Sequence, residues 1–202
     1  MYSDFNASPE ANHYFDRYFN CNAVKILPGE FYATSNNHLI VTVLGSCIAT
    51  CLFDPVNNVR GMNHFLLPRD DMEKSALLCE SARYGTYAME LLINEMLKLG
   101  ARKNQIVAKV FGGGNVMKGL IHNNVGQKNV DFAFEYLKNE SIPIIASDVL
   151  SDYPRKVYFF EEGGLVRVKK IKALHNTTIL DRESEYRIKL KNASIDNSVD
   201  LF

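Results

Sequence analysis

Three apolar, β-branched runs follow one another between residues 38 and 67, and the punctuation between them leaves room for little but a sheet. The first, "HLIVTVLG" (residues 38–45), ends in glycine, as a buried strand often does. "SCIATCLF" and "VRGMNHFLL" read as two more strands. "DPVN" lies between them, with proline where a type I turn takes it. A turn closed by residues 54–57 pairs Phe53 with Asn58. Followed up the hairpin, that register sets Cys47 directly across from His64 on one face, with Cβ atoms about 5 Å apart. A slip of one residue would send the two to opposite faces.

The rest of the chain alternates further strands with helices. In "ESARYGTYAMELLINEMLKLG", Tyr84, Ala88, Leu91, Leu92, Met96 and Leu99 recur at helical spacing, and Gly100 takes the C′ position. "QIVAKVF" is a strand that stops at Gly112, Gly113 and Gly114. No G-K-[ST] follows those glycines, so they read as a tight turn and not as a phosphate cradle. Residues 127–139 form a second amphipathic helix. "IPIIASDVL" and "RKVYFFEEGGLVRVKKI" add strands, the latter with a hairpin at Gly163 and Gly164. One catalytic domain over residues 12–175 is expected, then a C-terminal segment, 176–202, with a short helix "LDRESEYRIKL" and a polar tail. Strands outnumber helices, so the class is α/β (α+β), a mixed β-sheet covered by helices.

Composition excludes some functions. Lys and Arg total 23 against 23 Asp and Glu, so no whole-protein field draws the chain to nucleic acid or to an anionic membrane. No apolar run approaches the roughly 18 residues of a membrane span, so no direct membrane insertion is expected. The N-terminus lacks a basic region followed by an apolar one. A cytoplasmic location follows, where scattered cysteines stay thiols.

Cys47, Cys51 and His64 admit three readings. A tetrahedral zinc holds two ligand sulfurs roughly 4 Å apart. On one strand Cys47 and Cys51 stand roughly 13 Å apart. The chain also has no C-x-x-C and no H-x-x-x-H, so neither metal nor cofactor is expected. In the second reading Cys47 is a nucleophile, and an adjacent imidazolium of His64 lowers its pKa until thiolate is populated at neutral pH. Gly45 and Ser46 leave the backbone beside Cys47 bare, which makes its amide a candidate oxyanion donor. In the third, Cys47 is a small core residue and His64 a satisfied polar group. Spacing alone leaves the last two open. Cys51 alternates with Ala49 and Phe53 and reads as core; Arg155 with Asp152 reads as a structural pair.

The same residues carry a resemblance. "LGSCIATCLFDP" followed by "GMNHFLLP" resembles the signature of CheD, the chemoreceptor glutamine deamidase family of bacterial chemotaxis. "ARYGTYAMELLINEMLKLGA", "AKVFGGGNVMKGL", "NVGQKN", "IPIIASDV" and "YPRKVYFF" each resemble a family segment, in family order. The resemblance implies a three-layer α/β/α sandwich. It implies Cys47 as the catalytic cysteine, His64 as the catalytic histidine, and a threonine on the preceding strand as third member, for which Thr42 is the candidate. Ser46 beside the cysteine, and Asn115 on the glycine loop bordering the substrate groove, are the substrate-binding candidates. The implied reaction is hydrolysis of glutamine side chains on the cytoplasmic helical domain of methyl-accepting chemotaxis receptors. A thioester forms, ammonia leaves and glutamate remains. Some members dock on a CheC-type phosphatase, which is then a further expected partner. An adaptor or regulator role is the alternative the resemblance carries.

Overall fold

The computed structural model describes residues 13–67, 76–115, 125–171 and 178–192; the polar tail and the loop after Leu67 lie outside the described residues. The chain opens with β1 (His13–Asp16), β2 (Cys21–Lys25), β3 (Phe31–Thr34), β4 (Leu39–Leu44), β5 (Ile48–Asp54) and β6 (Val59–Asn63). Then come α1 (Ala76–Lys98), β7 (Val107–Gly112), α2 (Val125–Asn139), β8 (Ile144–Val149), β9 (Arg155–Phe159), β10 (Val166–Lys170) and α3 (Thr178–Asn192). This is the mixed-sheet α+β class expected from the sequence. The strands divide between two five-stranded sheets, ordered β1-β2-β4-β9-β10 and β3-β6-β5-β7-β8. In each, one parallel pair, β2 with β4 or β7 with β8, interrupts antiparallel neighbours.

Strand β5 shows why its sequence is apolar almost throughout. All seven of its residues are buried, because both faces of the second sheet are covered. Ile48 and Leu52 point to one face and pack with Ala88, Met89 and Leu92 of α1 and with Ala133 and Leu137 of α2. Ala49, Cys51 and Phe53 point to the other, where they meet Ile40, Leu44, Val157 and Phe159 of the first sheet. Helices α1 and α2 therefore cover one face of the second sheet and the first sheet covers the other, with Cys47 and Cys51 in the inter-sheet core. Cys51 is the core residue its alternation predicts; burial pushes its thiol up. Helix α1 stops as the sequence predicts: Gly100 N–H bonds the Leu97 carbonyl at 3.0 Å, and Ala101 N–H reaches back to Met96 at 3.0 Å.

Two expectations need correction. The hairpin pairs Asp54 with Val59 and Phe53 with Arg60, so the turn holds residues 55–58 and not 54–57. Asp54 is kept in the strand because its Oδ1 accepts the amides of Val56 at 2.9 Å and Asn57 at 3.0 Å, folding the turn around its own carboxylate. In this register Ile48 bridges Phe65, so Cys47 and His64 are diagonal and not direct neighbours. The displacement is two residues. It preserves the face, which is why both side chains still turn inward.

The second correction concerns Arg155, which pairs with Asp148 (Nη1 to Oδ1, 3.3 Å) and not with Asp152. Its fully buried guanidinium also donates to the carbonyls of Gly112, Asp148 and Leu150, joining β9 of the first sheet to the ends of β7 and β8 in the second.

Candidate active site

The loop from Gly45 to Cys47, between β4 and β5, has its backbone sorted by direction. Its three carbonyls are all taken by neighbours: Gly45 by Gly114 N–H (2.8 Å), Ser46 by Asn129 Nδ2 (2.9 Å) and Cys47 by Gly113 N–H (2.7 Å). The glycine turn after β7 is thus the partner that fixes this loop. At Gly112, with φ +114°, a Cβ would stand 2.2 Å from the Cys47 carbonyl oxygen, so no other residue fits. With the carbonyls engaged, the three amides point together, making a nest for negative charge. Asn129, on the buried face of α2, also accepts the Leu67 amide at 2.8 Å and ties the loop to the segment beyond His64.

The nest holds the side chain of Glu183 from α3. Gly45 N–H (2.9 Å) and Cys47 N–H (3.2 Å) converge on Oε1, while Ser46 N–H (3.2 Å) and Ser46 Oγ–H (2.7 Å) meet Oε2. Arg187, one turn further along α3, donates to Ser46 Oγ at 2.8 Å. Glu183 also stands close enough to the Cys47 thiol to disfavour its ionisation.

Thr42 and His64 lie within hydrogen-bonding reach of each other. Thr42 Oγ1 lies 2.8 Å from His64 Nδ1 and 2.9 Å from the Ile26 carbonyl oxygen. The hydroxyl has one proton, and the carbonyl can only accept. Thr42 therefore donates to Ile26 and accepts from Nδ1–H, which fixes the imidazole tautomer and leaves the Nε2 lone pair unused. Nε2 is buried and has no partner among the described residues. The His64 backbone is pinned on both sides, its N–H to Glu30 (2.9 Å) and its carbonyl by Gly29 N–H (2.7 Å). A cavity of about 20 Å³, lined by Ile26, Val43, His64 and Glu183 among others, adjoins the ring.

Burial dominates the electrostatics of both side chains. Burial and then the Glu183 carboxylate push the Cys47 thiol well up, while burial holds His64 down to about 4 against the opposing pull of Glu183. With Glu183 seated, both shifts favour the neutral thiol and the neutral imidazole.

Of the other candidates, Ser46 is in the nest, bonded through both amide and hydroxyl. Asn115 is exposed at the end of the glycine turn, its amide bonded to the Ser151 carbonyl at 2.7 Å. Sequence reasoning missed Glu183, Arg187 and Asn129. A polar residue on the apolar face of an amphipathic helix was the available signal for Asn129, which closes the segment "NVGQKN". Glu183 offered none, standing among charged neighbours in "LDRESEYRIKL".

Geometrically the site sets a buried thiol beside an amide nest, with an oriented imidazole lining the same small cavity as Glu183. Comparison with known proteins supplies the family. The CheD profile, described as CheD chemotactic sensory transduction, matches residues 66–170. The chain is 60% identical over 96% of its length, and 94% of the relative's, to a protein of Shewanella oneidensis named probable chemoreceptor glutamine deamidase CheD 1. A protein of Laribacter hongkongensis named probable chemoreceptor glutamine deamidase CheD is 53% identical over 94% of the chain and 92% of its own. The chain belongs to the CheD family. No described helix is long and apolar enough to cross a membrane.

Proposed function

We propose that the chain is a protein-glutamine deamidase acting in the cytoplasm on the helical signalling domain of chemotaxis receptors, with Cys47 as nucleophile, His64 as acid and base, and Thr42 as the group that orients His64. The names of the relatives support the activity. One observation carries the chemistry: the amides of Gly45 and Cys47 converge on a single glutamate oxygen, Glu183 Oε1, beside the thiol. That oxygen stands in for the carbonyl oxygen of a glutamine amide. Two such donors are the arrangement that stabilises an oxyanion, where loss of one costs about 10²–10³ in rate.

With a glutamine in the seat, His64 Nε2 takes the thiol proton and the Cys47 sulfur adds to the amide carbon. The charge that moves onto oxygen is held by the two amides. Collapse expels ammonia, which leaves with the proton from His64, and a thioester remains. The cavity beside His64 has room for a single water, whose minimum is about 10–15 Å³. Deprotonated by Nε2, such a water cleaves the thioester, restoring the thiol and releasing glutamate. Ser46 Oγ, at Oε2, is positioned for the departing nitrogen. A CheC-type phosphatase is a further proposed partner on the strength of the resemblance.

Incubating the purified chain with a receptor cytoplasmic fragment is expected to convert specific glutamines to glutamate, read as mass shifts with stoichiometric ammonia. A fragment that binds yet keeps every glutamine would leave only the adaptor role. Thr42→Val removes the acceptor for Nδ1–H and frees the wrong tautomer, so turnover is expected to fall about 10²-fold with substrate binding little changed. Thr42→Ser should restore most of it. Equal activity in the valine and serine variants would remove Thr42 from the mechanism.

A further inference from the structure

Few of the described side chains of α3 attach it to the rest of the fold. Between Asp181 and Leu190 only Glu183 is buried, and Tyr186, Arg187 and Leu190 are half-buried. Glycines make room for this attachment. A Cβ at Gly45 would stand 2.8 Å from Glu183 Oε1, and one at Gly29 would come within 2.6 Å of the Tyr186 ring. The seat itself is polar: four donors of the Gly45–Cys47 loop meet one carboxylate, and Arg187 secures the Ser46 hydroxyl beside it.

If Cys47 opens a carboxamide, every contact of Glu183 is one that the product of the reaction would make. Oε1 lies where the amide oxygen goes, and Oε2 where ammonia has left. We propose that Glu183 is an internal product mimic: α3 holds its carboxylate in the seat of a substrate glutamine, and a glutamine borne on a partner helix reaches Cys47 only when α3 withdraws. This rests on the deamidase reading of the site. The mimic is inert because a carboxylate offers no leaving group to the thiol. It also keeps the thiol protonated, through burial and through its own charge. Between Asp181 and Leu190 the described side chains bury little apolar surface, and an isolated helix of this length is marginal in water, so release costs little.

Glu183→Gln should turn the mimic into a substrate. The Cys47 sulfur bonds to the amide carbon, the carbon–nitrogen bond breaks and ammonia leaves with a proton from His64. One water then splits the thioester, so glutamine plus water gives glutamate plus ammonia. The purified variant is expected to revert to glutamate at position 183 with first-order kinetics independent of protein concentration. The Cys47→Ala, Glu183→Gln double variant should keep its glutamine. Glu183→Ala is expected to raise both receptor-fragment deamidation and the iodoacetamide rate at Cys47 by about tenfold or more, the factor that corresponds to about 1.4 kcal/mol removed from the closed state. Suppose wild type deamidates the fragment, glutamine persists at position 183, and the alkylation rate is unchanged in Glu183→Ala. Then the mimic is overturned and the deamidase reading stands. Faster alkylation with no deamidation by any variant would overturn both, leaving α3 as a cover over a thiol of other use.

Discussion

Cys47→Ala is expected to abolish ammonia release from a receptor fragment, whereas Cys51→Ala keeps most of it. The two cysteines are close chemical equals in the sequence. Both are buried, at 0% and 1% exposure, and both face the inter-sheet core. What separates them is the backbone. Cys47 sits at the end of a loop whose carbonyls are all bonded on one side, so that its own amide and that of Gly45 are free to meet an oxygen on the other. Cys51 lies inside β5, its backbone committed to strand pairing with β6 and β7. A thiolate at Cys51 would have no amide nest to receive the oxygen. Loss of a covalent nucleophile costs on the order of 10⁴–10⁶ in turnover. Loss of the Cys51 sulfur costs about 1–2 kcal/mol of stability and little activity. Ammonia release and denaturant midpoints on both variants check this. A dead Cys51→Ala with a stable fold would reverse the assignment.

Register explains how much of the site could be read in advance. The apolar runs name β4 and β5 because their burial leaves a signal many residues long, and apolar spacing at the helical period names α1 and α2. Composition places Asp54 in the turn, whereas its carboxylate folds the turn from within the strand, so the hairpin closes one residue later than the sequence predicts. A two-residue displacement conserves face, so Cys47 and His64 remained on one side although their predicted opposition was wrong. Strands β1 and β3 span four residues each, too few to show alternation. Glu183 lies beyond local inference altogether. Its burial is caused by amides some 136 residues upstream, whose common direction is itself set by a glycine turn and by Asn129. The site was legible where one strand pair made it, and illegible where distant segments converged.

Arg155→Met is expected to cost about 3–5 kcal/mol, the range for breaking a buried charged network by removing one partner. The substitution keeps an unbranched apolar stem and deletes only the guanidinium, which is wholly buried at 0% exposure. Its N–H groups serve the carbonyls of Gly112, Asp148 and Leu150, and Nη1 lies 3.3 Å from the Asp148 carboxylate. Asp148 can turn to solvent, its side chain being 28% exposed, but the carbonyls where β7 and β8 end have no replacement donor in a methionine. A domain of this size holds about 5–15 kcal/mol in all, so the variant should melt roughly 6–20 °C lower. Because Gly112 abuts the Cys47 carbonyl, the loosened turn should also release the loop that aims the amides, and turnover should fall before the fold is lost. Arg155→Lys keeps the charge but not the fork, and is expected to recover less than half of the lost stability. A loss below about 1 kcal/mol in the methionine variant, measured by denaturant midpoint, would mean that water satisfies those carbonyls and that the two sheets are joined by packing alone.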